Sequence, residues 1–170
     1  MSTDVVLAVR LKVPDTTALS ALDILTRKMG LEGELVGLLR EDLWRFRLDT
    51  GDADAAAARV AAWAESLTAL VNPNKHRARI EVRPPQSEPQ TVRVRVEDRV
   101  NVRGASMAAF LRKRLGAPDL LELAAGTRWT LRFSPDVENP RASAEAIAVT
   151  RARREGLLGN PHAHTIEIEA

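Results

Sequence analysis

Three short motifs occur twice in this sequence, in one order and at nearly one spacing. Leu25–Gly30 (LTRKMG) returns as Leu111–Gly116 (LRKRLG), an offset of 116 − 30 = 86. Trp44–Leu48 (WRFRL) returns as Trp129–Phe133 (WTLRF) at 85, and Asn72-Pro73 with His76 and Ile80 returns as Asn160-Pro161 with His164 and Ile168 at 88. Self-similarity at a fixed spacing means one supersecondary unit used twice. Between the copies runs Arg83–Gln90 (RPPQSEPQ), with the composition of a semi-rigid linker. The 170 residues therefore divide into units at 1–83 and 91–170 joined by a linker over 84–90.

Each copy has the same succession of patterns. Val5, Leu7, Val9, Leu11 and Val13 alternate with less apolar positions, as do Val92, Val94 and Val96, which predicts an opening strand buried on one face. Helices are predicted over 16–29 and 105–115, with Gly30 and Gly116 placed as left-handed C-caps. Two strands follow in each copy, at 35–39 and 43–49 and at 120–124 and 128–133, with Glu41-Asp42 in the first intervening turn. Second helices are expected over 52–70 and 140–158, the latter with Asn139 as N-cap and Pro140 at its first position. Closing strands fall at 77–82 and 165–169. The order β-α-β-β-α-β predicts an α+β fold of tandem duplicated, ferredoxin-like units, each an antiparallel sheet with helices on one face, together forming a pseudo-dimer.

The composition narrows the chemistry. A balance of 25 basic against 23 acidic residues gives +2, too little to argue for nucleic acid. With zero Cys there is no disulfide framework and no thiolate site. No run approaches the roughly 20 apolar residues of a membrane helix, so the expected location is cytoplasmic, with no membrane partner. Phosphate-cradling glycine loops and a Gly-x-Ser-x-Gly elbow are missing from the sequence, and no catalytic residue is identified. Of six aromatic residues, four (Trp44, Phe46, Trp129 and Phe133) fall on equivalent strands in the inward phase, which predicts core packing rather than a stacking platform.

Two features are candidates for contact with a partner. His76 and His164 follow the Asn72-Pro73 and Asn160-Pro161 pairs, which are helix-stop signals, and such histidines are hydrogen-bonded turn or interface residues more often than ligands. His162 and His164 are two apart on one strand face but lack the spacing of a metal site, so no metal is expected. The outward phase of the strands is basic, with Arg45 and Arg47 in one copy and Arg128 and Arg132 in the other, beside Arg10, Arg77, Arg79, Arg93 and Arg95. That face is expected either to be solvated, with Glu81, Glu167 and Glu169 as partial counter-charges, or to dock a protein.

The pattern of one copy resembles PurS, the small subunit of phosphoribosylformylglycinamidine synthase. The residues that carry the likeness are the endings Leu70-Val71-Asn72-Pro73 with Ile80-Glu81-Val82, and Leu157-Leu158-Gly159-Asn160-Pro161 with Ile166-Glu167-Ile168. A Gly-Lys step usual in the family at the start of the third strand is replaced by Glu41-Asp42 and Gly126-Thr127. The resemblance implies a non-catalytic subunit of de novo purine biosynthesis that bridges glutaminase and ATP-dependent synthetase subunits. The cofactors ATP and Mg, and the substrate glutamine, would belong to the complex rather than to this chain. It also implies possible self-association of the fused pairs. The alternative is a tandem small-molecule-sensing regulatory module built from the same units.

Overall fold

The computed structural model describes residues 1–153 and 155–169. Among these residues the fold is α+β, with a six-stranded antiparallel sheet and four α-helices. In order these are β1 (Thr3–Leu11), α1 (Thr16–Asp23), β2 (Leu35–Leu48), α2 (Ala53–Ser66), β3 (His76–Glu81), β4 (Thr91–Asp98), α3 (Val102–Leu115), β5 (Leu120–Phe133), α4 (Pro140–Ala148) and β6 (His164–Glu169). The strands are hydrogen-bonded in the order β3-β1-β2-β5-β4-β6, so β3 and β6 are edge strands.

Where hairpins are expected there are single long strands. β2 and β5 each run 14 residues without a turn. Glu41-Asp42 lies in mid-strand, with Asp42 opposite Val9 of β1. Buried residues run the length of the segment, on both parities: Leu35, Leu38, Glu41, Leu43, Phe46 and Leu48, so one unbroken strand is covered from end to end. No Gly, Pro or Asn occupies residues 40–43 to make a corner.

The long strands change how the chain is partitioned. One compact unit is Met1–Val13, Glu41–Pro85 and Val100–Gly126; the other is Pro14–Arg40, Gln86–Arg99 and Thr127–Ala170. Neither is a contiguous half such as 1–83 or 91–170. The segments 14–40 and 100–126 have each joined the unit built mainly from the other sequence copy, and they are equivalent at one offset, 100 − 14 = 126 − 40 = 86. Unit 1 thus combines β1, α2 and β3 with α3, and unit 2 combines β4, α4 and β6 with α1.

Unit 1 packs α2 and α3 on its strands. Its core joins Val5, Leu7 and Val9 of β1, Phe46 and Leu48 of β2, Val60 and Trp63 of α2, and Ala108 and Leu111 of α3. Phe46 and Trp63 meet with ring centroids 5.7 Å apart, and Trp44 flanks this core with Arg103 over its ring at 5.9 Å. Unit 2 packs α1 and α4 against Val92, Val94 and Val96 of β4 and Trp129, Leu131 and Phe133 of β5. Phe46, Trp129 and Phe133 are therefore core residues, as their phase predicts, while Trp44 is partly buried against the edge of the unit 1 core.

Helix ends follow local chemistry. Asp15 caps α1, accepting from the N–H groups of Thr17 and Ala18, and the helix ends in a π-helical turn (Ile24–Lys28) before Gly30 at φ +78°. Asn139 accepts from Ala142 N at 3.0 Å with Pro140 at the first helical position, as expected. The expected length of α4 is corrected: it stops at Ala148 rather than near Leu158, a span that includes Arg154, outside the described residues. Val149 is extended and Gly156 has φ +77°, where a Cβ would lie 1.7 Å from the Val149 carbonyl oxygen. The chain doubles back there, and Leu157 N donates to the Ile147 carbonyl at 2.8 Å.

Candidate functional site

The Asn-Pro turns form the same hydrogen bonds twice. Asn72 N donates to His76 Nδ1 at 3.1 Å, and Asn160 N donates to His164 Nδ1 at 3.0 Å. The Asn72 side-chain oxygen accepts from Asn74 N and that of Asn160 from His162 N, closing an Asx turn in each. His76 N and His164 N return to the carbonyls of Asn72 and Asn160, both at 2.8 Å. A basic side chain from the neighbouring strand end covers each turn: Lys12 Nζ donates to the Pro73 carbonyl, and Arg99 Nε to that of Pro161 at 3.0 Å. Because Nδ1 is the acceptor, the proton of each neutral ring sits on Nε2, which is the nitrogen left for another group.

The two rings differ in what meets Nε2. His164 Nε2 lies 3.5 Å from Asp98 Oδ1, whereas Leu11 stands opposite His76 in the corresponding register. Among the described residues no group of three or more His, Asp or Glu side chains is placed to hold a metal ion.

Much of the basic strand face is neutralised by carboxylates from the same strand, from other strands and from the linker. Arg47 Nε lies 3.0 Å from Asp4 and a terminal nitrogen 3.1 Å from Glu122. Its hydrogen bond to Asp4, with the charges of Asp4 and Glu122, raises its pKa above the ordinary arginine value. Arg79 binds Glu81 at 2.8 Å and Glu41 at 3.1 Å. Partial burial disfavours its charge, but those two carboxylates outweigh it and the net direction is upward. Arg95 meets Glu167, Glu97 and Glu169, and Arg93 meets Glu88 at 2.9 Å.

Arg128 is not on an open face at all. Its side chain is 2% exposed and grips Glu169 with Nε at 2.7 Å and a terminal nitrogen at 3.3 Å. Arg132 is exposed and rests against Gly37, where an added Cβ would meet its side chain at 3.6 Å; Arg45 is half-buried opposite Val6. Of the ten residues singled out, Asn72, Pro73, His76, Arg45 and Arg47 belong to unit 1, and Asn160, Pro161, His164, Arg128 and Arg132 to unit 2.

Sequence patterns did not reveal a groove of about 330 Å³ in unit 1, lined by Leu7, Ala64, Val71, Pro73, Ala78 and Ile80. It lies beside edge strand β3. The signal that could have found it is the half-exposed apolar phase of β3 next to the small residues Ala61 and Ala64 of α2.

No helix among the described residues is long and apolar enough to cross a membrane. No known protein family's sequence profile matches this chain, and no curated protein matches it.

Proposed function

We propose that this chain is a non-catalytic docking subunit formed by tandem duplication of a PurS-like unit, bridging the glutaminase and ATP-dependent synthetase of a phosphoribosylformylglycinamidine synthase. The observation that supports this reading is the recurrence of the Leu-x-Asn-Pro ending as one hydrogen-bonded turn in both copies, each with its histidine Nε2 free of the turn's own bonding. The equivalence of segments 14–40 and 100–126 supports the pseudo-dimer part of the proposal, because two identical copies exchanging their first helices would give that partition. On this reading the duplicated turns present similar surfaces to unlike partners, and the ion-paired strand face is scaffold.

The test is co-expression with a glutaminase and a synthetase from the same source, followed by isolation in the presence of glutamine and ADP. A stoichiometric ternary complex with increased glutamine-dependent activity is the expected result. Recovery of a glutaminase–synthetase complex that excludes this chain and gains no activity from it overturns the proposal. A thermal shift with a small metabolite in the absence of any protein would instead favour the sensing-module alternative.

A further inference from the structure

The two edge strands carry complementary patterns. β3 reads Arg77-Ala78-Arg79-Ile80-Glu81, and β4 reads Arg93-Val94-Arg95-Val96-Glu97, the same Arg-x-Arg-x-Glu alternation with apolar residues between. Within the chain, β4 already pairs with β6 in the register Arg93↔Glu169, Val94↔Ile168, Arg95↔Glu167, Val96↔Ile166. Among the described residues β6 is unpaired on its other side, and β3 is unpaired on one side too.

We propose that β3 of one molecule pairs antiparallel with β6 of a second copy, in the register that β4 uses, giving head-to-tail self-assembly through strand addition. The pairs would be Arg77 with Glu169, Ala78 with Ile168, Arg79 with Glu167, and Ile80 with Ile166 of the partner molecule.

Three observations converge on it. Hydrogen-bond phase is the first. Lys12 N donates to the Lys75 carbonyl and Arg99 N to the Ala163 carbonyl, which by antiparallel alternation turns the N–H groups of residues 76, 78 and 80, and of 164, 166 and 168, toward the open sides. In the proposed register residue 78 meets 168 and 80 meets 166, so outward donors and acceptors face one another.

Charge is the second. Arg77 stands directly opposite Arg10 in the β1–β3 ladder, both are exposed, and among the described residues Arg77 has no ion pair. Like charges directly opposite are unfavourable, and an added β6 would bring Glu169, already held by Arg128, opposite Arg77 and the exposed carboxylate of Glu167 onto its diagonal, where it offsets them. Symmetric pairing serves less well, since in the same phase β3 on β3 sets arginine against arginine, either Arg77 with Arg79 or Arg79 with Arg79, and β6 on β6 leaves Arg77 as it is.

Space is the third. The groove of about 330 Å³ flanks β3 on the side of Ala78 and Ile80, the side to which Ile166 and Ile168 of an added β6 would point. Strand edges of natural proteins are ordinarily blocked. Here the edge lacks Pro, and its charges match those of the opposite edge of the same chain. Head-to-tail contacts leave one edge of each kind open at the ends of any oligomer, so assembly continues into filaments or closes into rings. The inference does not depend on which protein the chain docks.

Sedimentation velocity on the full chain, from low-micromolar to sub-millimolar concentration, tests this. Wild-type protein is expected to shift to larger species as concentration rises. Ala78→Pro, which removes an outward N–H while leaving the β1 ladder intact, and Glu167→Arg, which repels Arg79, should each weaken association at least ten-fold. An equimolar mixture of the two should form a 1:1 dimer, because the first retains an open β6 and the second an open β3. Arg77→Glu serves in place of Ala78→Pro if circular dichroism shows that the proline variant is not folded. A wild-type chain monomeric throughout, variants that associate as well as wild type, or a mixture that stays monomeric would each overturn the proposal.

Discussion

At equivalent positions the two units solve the same structural problem with different chemistry. Asp15 and Asn101, 86 apart, are both N-caps. Asp15 ties its helix to β2 through an ion pair with Arg40 at 3.3 Å, whereas Asn101 ties its helix to β5 by donating to the Leu123 carbonyl at 2.7 Å and accepting from Ala125 N at 3.3 Å. Leu43 and Arg128, 85 apart, are both buried, one as plain hydrocarbon and one as an ion pair with Glu169. Ala18 of α1 answers to Gly104 of α3, where a Cβ would fall 2.2 Å from the Leu123 carbonyl oxygen. What recurs is backbone geometry and the place of each tie; the side chains that make the ties are free to diverge.

That comparison can be broken most forcefully at Arg128. Arg128→Ala leaves the Glu169 carboxylate largely buried without its main partner and is expected to cost about 3–5 kcal/mol. Leu43→Ala at the equivalent place leaves only a cavity, about 2–5 kcal/mol depending on collapse. Urea unfolding of both variants gives the ordering. The comparison fails if Arg128→Ala is the milder change and Leu43→Ala the severe one.

Gly104→Ala forces a methyl group onto a backbone carbonyl and should destabilise by about 1–3 kcal/mol. Ala18→Gly should cost only about 0.5–1 kcal/mol through helix entropy. A stabilising Gly104→Ala in thermal unfolding would show that α3 does not approach β5 as closely as described.

The caps come next. Asn101→Ala and Asp15→Ala should each cost about 1–2 kcal/mol, but only the loss at Asp15 should shrink in high salt, since only it includes an ion pair. Equal salt dependence for the two would remove the distinction. Smallest are the Asx turns: Asn72→Ala and Asn160→Ala should each cost about 0.5–1.5 kcal/mol, and nearly the same as each other if the turns are equivalent.

Alternation and capping made much of this legible from the sequence. Asn139-Pro140, Gly116 at φ +58° and the inward Phe46, Trp129 and Phe133 of β2 and β5 all state local preferences that the fold obeys. What alternation reports is which face of a segment is apolar, not which partner covers it. Ala18, Ala21 and Leu25 would look the same on α1 whether they met β1 or β4, so nothing local marks which unit covers them. Glu41-Asp42 suggested a turn because charged pairs favour one, yet Glu41 is held in mid-strand by Arg79 from β3, a partner far along the chain. The basic face misled for a related reason. Parity sets the arginines apart from the apolar core positions, but only the strand order shows that Glu122, Glu41 and Glu169 lie within reach of them and that Arg128 is buried.

The discontinuous make-up of the two units also sets a timetable for the nascent chain. Unit 1 lacks a third of its parts until residue 126 has left the ribosome, and α1, made early, must wait for β4 and then for β5 and α4 before its apolar stripe is covered. A domain of contiguous sequence can close as it emerges, whereas this chain accumulates exposed hydrophobic surface through most of its synthesis. Translation of this protein is accordingly the stage at which a holdase chaperone has most to protect.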